Sequence, residues 1–115
     1  MTDQLTLDEK QTLLRLARQA LDLGVRSEKL PPQDWDSLSP LLRADGASFV
    51  TLTARGELRG CIGTLEAYQP LAEDVREHAI AAALEDYRFP PVQIAELKEI
   101  QIEVSRLTAP VPLEY

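Results

Sequence analysis

The N-terminal part of the chain places apolar residues at helical spacing after a capping signal. Thr6 and Glu9 have the spacing of a capping box, in which each side chain accepts a hydrogen bond from the other residue's backbone N–H. Gly24 supplies a C-terminal stop. We therefore predict a first helix whose apolar face consists of Leu13, Leu14, Leu16, Ala17, Ala20, Leu21 and Leu23.

Between Val25 and Gly46 this periodicity disappears. Proline lacks the N–H that a helix interior needs, so Pro31-Pro32 excludes a regular helix, and Pro40 interrupts the chain again. The stretch from Pro32 to Trp35 predicts a short turn, and Asp45-Gly46 predicts another. Because large apolar side chains gain stability from burial, we expect an ordered connection held to the core by Leu38, Leu41 and Leu42.

Two runs of strand-forming residues flank Arg55-Gly56, which predicts a tight hairpin. The first run is 47–54, and the returning strand is 58–65. A third run, 96–107, alternates apolar and polar residues with the period of a strand. Antiparallel pairing with the hairpin is its simplest arrangement. Its alternating positions are Ile100, Ile102 and Val104 on one face and Gln101, Glu103 and Ser105 on the other.

A second helix is predicted between the hairpin and the third strand. Gln69-Pro70 opens it, and Arg88-Phe89-Pro90-Pro91 stops it. Its predicted buried residues are mostly small, so a sheet can approach it closely: Leu71, Val75, Ala79, Ala82 and Ala83. The pattern indicates an α/β (α+β) class, with an antiparallel sheet flanked by helices. We expect one domain over 1–115, divided into 1–46, 47–107 and an extended tail, 108–115, that includes Ala109–Pro112.

Composition excludes several classes of function. The net charge is -7, and the 12 basic side chains are scattered, which disfavours a broad surface for nucleic acid or an anionic membrane. No apolar run approaches the roughly 20 residues of a membrane helix. Cys61 is the sole cysteine, so we expect no internal disulfide, no multi-cysteine zinc site and no metal or other cofactor. The first residues do not resemble a secretory signal, and we expect a cytoplasmic protein.

The most informative stretch is Leu58-Arg59-Gly60-Cys61-Ile62-Gly63. Glycine weakens a strand interior, so Gly60 and Gly63 indicate a bulge or a close approach of something to the backbone. Cys61, beside Arg59 and free backbone N–H groups, has the surroundings of a thiolate nucleophile. Alternatively, Cys61 is a small packed residue and Arg59 belongs to a structural ion pair. The residues alone leave both interpretations open.

Other polar residues are weaker candidates for chemistry. His78, the sole histidine, borders the second helix's apolar stripe and is either a general base for Cys61 or a boundary residue. Asp86 and Arg88 either face a shared cleft or form a salt bridge that terminates the helix. Because the C-terminus of a helix disfavours anions, Asp86 is expected to pair with a cation such as Arg59 or Arg88. Glu103 and Ser105 lie on the same face of the third strand. They are either polar ligands in a cleft or residues that face the solvent.

These stretches resemble the AMMECR-one domain family, whose prokaryotic members are called protein A of the AmmeMemoRadiSam system. The six residues 58–63 match the family signature without departure. The alanine-rich helix followed by Asp86-Tyr87-Arg88-Phe89-Pro90 is similar to its second motif. Glu96-Leu97 leading to Ile102–Leu107 is similar to its third. The resemblance covers nearly the whole chain.

The resemblance implies a two-subdomain α/β architecture with antiparallel sheets, in which the signature points into a cleft between the subdomains. Family domains continue well beyond Leu107. The resemblance therefore predicts that this chain lacks the C-terminal part, as a fragment or as a shortened member that self-associates, for example as a homodimer. The predicted cleft residues, besides Arg59 and Cys61, are Gly60, Gly63, Asp86, Arg88, Glu103 and Ser105.

For function, the resemblance implies an accessory or binding protein of a modification pathway that acts through this cleft. Its expected partners are a Memo-like protein and a radical SAM enzyme. The alternative is an enzyme that uses Cys61 as nucleophile, with Arg59 or backbone N–H groups stabilising an anionic intermediate and Asp86, Glu103 or His78 as base. The resemblance leaves the substrate of such an enzyme unidentified and allows a macromolecular one. A third hypothesis is an anion site at Arg59 and Arg88 without chemistry.

Overall fold

The computed structural model describes residues 5–107, which form three helices and three strands. The helices are α1 (Leu7–Val25), α2 (Pro40–Arg43) and α3 (Leu71–Leu84). The strands are β1 (Ala47–Ala54), β2 (Glu57–Gly63) and β3 (Ile100–Leu107). Two 3-10 turns complete the elements, at Trp35–Ser37 and Ile94–Glu99. The tail predicted to be extended, Ala109–Pro112, lies outside the described residues.

The predicted capping box of α1 is present. The backbone N–H of Glu9 donates to Thr6 Oγ1 over 3.1 Å, and that of Thr6 donates to Glu9 Oε1 over 2.9 Å. The predicted stop at Gly24 is wrong by one residue, because α1 continues to Val25 and the left-handed residue is Ser27, with φ 59°. The missing side chain of Gly24 instead allows α3 to pack closely against α1, since a Cβ at this position would lie 2.8 Å from Ile80 Cγ1.

The strands form one antiparallel sheet in the order β2-β1-β3, so β1 is central, and the predicted mixed α/β class is confirmed. The hairpin turn lies at Arg55 and Gly56, whose φ values of 54° and 80° are those of a type I′ turn. Three strand boundaries differ from the predictions. β2 runs from Glu57 to Gly63 and not from residue 58 to residue 65, and residues 94–99 form a 3-10 turn where the third strand was expected to begin.

The connection before β1 is ordered, as predicted. Leu38 and Leu42 are buried, and Pro40 opens α2 because its missing N–H costs nothing in a first helical turn. Asp45-Gly46 is not the predicted turn. Asp45 forms a β-bridge with Pro70, and the Gly46 N–H donates to Gln69 O, so this segment pairs with the chain just before α3.

The core lies between the sheet and the long helices. α1 and α3 pack against each other and on one face of the sheet, to which β1 contributes Val50 and Leu52. Alternate residues of β1 therefore point away from the helices, toward the opposite face. No helix within residues 5–107 is long and apolar enough to cross a membrane. The predicted stripe of α3 is buried throughout: Leu71, Val75, Ala79, Ala82 and Ala83.

Candidate functional site

The signature strand β2 carries a β-bulge. Leu52 of β1 pairs with Gly60 and Thr53 pairs with Leu58, so Arg59 is an extra residue between the two pairs. A bulge of this kind bends the strand and redirects a side chain. The interpretation of the glycines as a sign of a bulge is therefore correct, with the bulge centred on Arg59.

The two glycines of the signature also allow close packing within the chain. A Cβ on Gly60 would lie 2.1 Å from the carbonyl oxygen of Ala82 in α3. A Cβ on Gly63 would lie 2.4 Å from the ring of Phe49 and 2.5 Å from Ser48 O. Gly60 thus faces the helical layer, contrary to its expected place in a cleft, because the bulge leaves it opposite the inward-facing Leu52.

Arg59 is fully engaged in structural contacts. Its Nε and Nη2 donate to the two carboxylate oxygens of Glu96 over 2.9 and 3.1 Å. Its Nη1 donates to Pro90 O over 2.8 Å and its Nη2 also to Pro91 O over 3.3 Å. The guanidinium also lowers the pKa of Glu96. Arg59 therefore ties β2 to the segment before β3, and each of its three guanidinium nitrogens already donates to an acceptor within the chain.

Asp86 caps the outer edge of β2 next to Cys61. Its Oδ2 accepts from the Cys61 backbone N–H over 3.0 Å and from Arg88 Nη2 over 2.7 Å. Its Oδ1 accepts from the Arg88 backbone N–H and Nε over 3.1 and 3.0 Å. Arg88, and then the backbone hydrogen bonds, hold the pKa of Asp86 well below its usual range. The cation that Asp86 was expected to need is thus Arg88 and not Arg59.

Cys61 lies in a row of polar side chains across the sheet. Its Sγ is 3.2 Å from the hydroxyl oxygen of Thr51, its cross-strand partner, and Thr51 pairs on its other side with Glu103 of β3. Paired residues of adjacent strands point to the same face. Cys61 is half-buried and Glu103 is exposed. Neighbouring strands lie about 4.8 Å apart, so Glu103 is about two strand spacings, or ~10 Å, from Cys61.

A second row runs parallel to the first. Ser105 of β3 pairs with Phe49, and Phe49 pairs with Gly63. Four of the predicted cleft or catalytic residues therefore share one surface, which we call the outer sheet face: Cys61, Gly63, Glu103 and Ser105, with Thr51 and Phe49 between them. Within residues 5–107 the long helices cover the opposite face. The cleft itself stays a prediction.

His78 lies on the other side of the sheet. Its Nδ1 is 3.2 Å from Asp74 Oδ2 in α3 and 3.3 Å from Ser48 Oγ in β1, and both of these residues are fully buried between the sheet and the helices. Cys61 points to the outer sheet face, because it pairs with Thr51. The hypothesis that His78 is the general base for Cys61 is therefore wrong, since the sheet separates the two side chains.

Sequence reasoning missed two residues that matter to this arrangement. Thr51 contacts the thiol directly, and Glu96 neutralises Arg59. Thr51 could have been found from the alternation of β1, which places it on the same side as Phe49 and Thr53. Nothing in the local pattern points to Glu96, which is 37 residues from Arg59.

The geometry limits the chemistry available to Cys61. Asp86 is a poor base because both of its oxygens accept hydrogen bonds and its pKa is lowered. Glu103 is separated from the thiol by Thr51. Arg88 has a raised pKa, chiefly from its hydrogen bond to Asp86, with a smaller electrostatic effect from Cys61, so Arg88 is a cation within electrostatic range of the thiol. No group of three or more metal-binding side chains occurs in the described part of the chain.

The chain is similar in sequence to archaeal proteins and in structure to one solved protein. A relative from Methanothermobacter thermautotrophicus is 46% identical over 113 residues, and one from Thermofilum pendens is 42% identical over 124 residues. These alignments cover 96% and 97% of this chain and 57% of each relative. The crystal structure of an uncharacterized protein from Pyrococcus horikoshii is 36% identical, with a TM-score of 0.86 over 96% of this chain and 57% of that chain.

The chain thus spans little more than half the length of the relatives that it matches. The family model described as AMMECR1 matches residues 14–115, which include all the elements from the middle of α1 to β3. The identity to the relatives extends over nearly the whole chain, and the solved structure shares its fold. This chain therefore belongs to the AMMECR1 family.

Proposed function

We propose that this protein is an accessory or binding component of a modification pathway and that it presents the outer sheet face to a partner protein. One observation carries the proposal. The charged side chains of the signature region are occupied by intrachain contacts, while the row Cys61–Thr51–Glu103 lies on a face that the long helices do not cover. Such a face supplies contact area and hydrogen-bonding groups, which recognition requires.

The arrangement supports recognition better than catalysis. Nucleophilic catalysis needs a base within hydrogen-bond reach of the nucleophile and a donor for the developing anion. Thr51 occupies the position next to Cys61 Sγ, and a hydroxyl is not a base at neutral pH. Arg59 is already bound to Glu96 and to two carbonyl groups. Binding requires none of these missing functions.

The resemblance to the AmmeMemoRadiSam system supports two specific partners, a Memo-like protein and a radical SAM enzyme. An acidic chain with net charge -7 favours a partner surface that is basic where it meets Glu103. Charge complementarity of this kind contributes to specificity and to the rate of association. We therefore expect a complex whose affinity falls as the salt concentration rises.

The test is isothermal titration of the purified chain with each of these two proteins from the same genome. Glu103→Arg reverses a charge on the outer sheet face, and Glu28→Arg makes the same change at an exposed residue after α1. We expect Glu103→Arg to weaken binding about tenfold or more, while Glu28→Arg and Cys61→Ser bind as the wild type does. If neither protein binds, or if both charge reversals have equal effects, the proposal is wrong.

A second candidate function is catalysis by Cys61. The observation that favours it is a half-exposed thiol within electrostatic range of Arg88, on a backbone held by Asp86. A reactive thiolate would alkylate with iodoacetamide faster than a free thiol at neutral pH. It would also acquire a covalent adduct from cell extract that intact mass detects and that Cys61→Ala lacks. A slower alkylation rate together with no adduct would exclude this function.

A further inference from the structure

The helical side of the sheet holds a second polar centre, formed by the chain's sole histidine. His78 is 5% exposed, and its Nδ1 lies 3.2 Å from Asp74 Oδ2. Asp74 is fully buried, and its carboxylate accepts from Ser48 Oγ over 2.7 Å and from Gln69 Nε2 over 3.0 Å. These contacts fix the orientation of the imidazole ring from the core side.

The hydrogen bonds also determine which nitrogen of His78 carries the proton. Burial raises the pKa of Asp74, but hydrogen bonds from His78, Gln69 and Ser48 outweigh it and lower the pKa, so Asp74 is ionised at neutral pH. Ser48 donates its only hydroxyl hydrogen to Asp74, so its oxygen can only accept from Nδ1. Both neighbours of Nδ1 are acceptors. In the neutral ring Nδ1 therefore carries the hydrogen, and Nε2 has the free lone pair.

His78 also lines a groove of about 340 Å³ between β2 and α3. Its Nε2 makes no hydrogen bond to any residue in the range 5–107, and Nδ1 faces the core, so Nε2 is the nitrogen left to face the groove. Two carboxylates, Glu77 and Glu85, line the same groove, and Glu77 accepts a hydrogen bond from Tyr68 Oη over 3.3 Å. The rest of the lining is apolar: Ile62, Ile80 and Ala81.

We propose that this groove binds an alkylammonium group, meaning a primary amine at the end of an aliphatic chain. The ionisable side chains that line it offer acceptors, namely the carboxylates of Glu77 and Glu85 and, in the neutral ring, the lone pair of His78 Nε2. An ammonium ion has three hydrogens to donate and no acceptor. The aliphatic part of the ligand matches Ile62 and Ile80. A free alkyl amine and a lysine side chain of another protein share this chemistry.

Anions and metal ions fit the groove less well. Among residues 5–107 no lysine or arginine lines the groove, so an anion would meet the two carboxylates without a compensating cation. A stable metal site needs three or more ligands, and no such group occurs within residues 5–107. The groove also lies on the opposite side of the sheet from Cys61, so the inference is independent of the proposed function.

The test uses the Hε1 proton signal of His78, which is the only histidine signal of the chain. The protein is titrated with each probe at about pH 8, where both primary amines are protonated. One probe is n-butylammonium, and the other is the peptide acetyl-Gly-Lys-Gly-amide. The neutral controls are n-butanol and the same peptide with norleucine in place of lysine. We expect saturable shifts with the amines and none with the controls.

Matched variants locate the binding. Glu77→Gln and Glu85→Gln keep the shape of the groove but remove a charge, and each should weaken amine binding about three- to five-fold. Glu28→Gln makes the same change at an exposed residue after α1 and should leave the affinity unchanged. Glu77 and Glu85 are exposed and do not belong to the buried contacts of His78, Asp74 and Ser48. We therefore expect their variants to fold, whereas His78→Gln would disturb the core.

The outcomes separate the two sources of the amine. Saturation by the peptide but not by butylammonium identifies a lysine side chain of a protein as the ligand, and the reverse identifies a small free amine. Saturation by both supports the shared chemistry. No shift with either probe overturns the proposal, as do equal shifts with n-butanol or equal affinity in the Glu77→Gln and Glu85→Gln variants.

Discussion

Replacing Gly60 by alanine measures how closely β2 and α3 pack. The added Cβ would lie 2.1 Å from Ala82 O and 3.0 Å from Ala82 C. Carbon atoms in favourable contact are about 3.5–4.0 Å apart, so β2 or α3 must move by about 1 Å. Overpacking typically costs about 1–3 kcal/mol. Because the obstacle is helix backbone and not a flexible side chain, we expect a loss near the upper end, about 3 kcal/mol.

The assay is urea unfolding followed by circular dichroism, with thermal unfolding alongside. A loss of about 3 kcal/mol corresponds to a Tm decrease of about 12 °C or more in a domain of this size. Gly56→Ala is the matched control. Apart from its chain neighbours, no described residue has an atom within 4 Å of the added Cβ, but the φ of 80° strains any side chain, at a cost of about 1–2 kcal/mol.

A Gly60→Ala variant no less stable than Gly56→Ala would refute this reasoning. The glycine would then not be required for internal packing, and its place in the signature would point to contact with a partner instead. A variant that is much less stable, with an unchanged denaturant slope, would confirm that Gly60 supports the close approach of α3.

Three further predictions concern the side chains around Cys61. Arg59→Lys cannot reproduce the paired hydrogen bonds to Glu96, so urea unfolding should show a loss of about 1–3 kcal/mol; an unchanged midpoint would mean that the ion pair contributes nothing. Asp86 has a lowered folded pKa, so its contribution to stability is present above its unfolded pKa of about 3.9 and is lost as the pH falls through the folded value. The stability difference between wild type and Asp86→Asn should therefore shrink below about pH 4, and a constant difference would contradict the assignment. Thr51→Val removes a hydroxyl that can donate to the Cys61 thiolate, so iodoacetamide should react more slowly, and an equal or faster rate would show that this contact is unimportant.

Much of the fold was predictable because its signals are local. The reciprocal bonds of Thr6 and Glu9 depend on residues three apart, and the hairpin depends on the positive φ that Arg55-Gly56 can adopt. The start of β3 was not predictable in the same way. Residues 94–99 have a sequence compatible with a strand, yet they form a 3-10 turn whose Glu96 is bound to Arg59. A distant partner thus stabilises a conformation that the local pattern does not favour.

Local sequence patterns were sufficient for the order of the two long helices and the three strands, and for the strand alternation that puts Cys61 and Ile62 on opposite faces of the sheet. The sequence also contains the signature that places the chain in its family. Packing of the helices on the sheet fixes which face they cover, and therefore that His78 lies beyond reach of Cys61. The two kinds of feature differ in how far apart along the chain the interacting residues lie. Capping, turn geometry and alternation depend on neighbouring residues, whereas the partners of Arg59 and Ser48 lie about 30 residues away and are brought to them only by packing of the whole core.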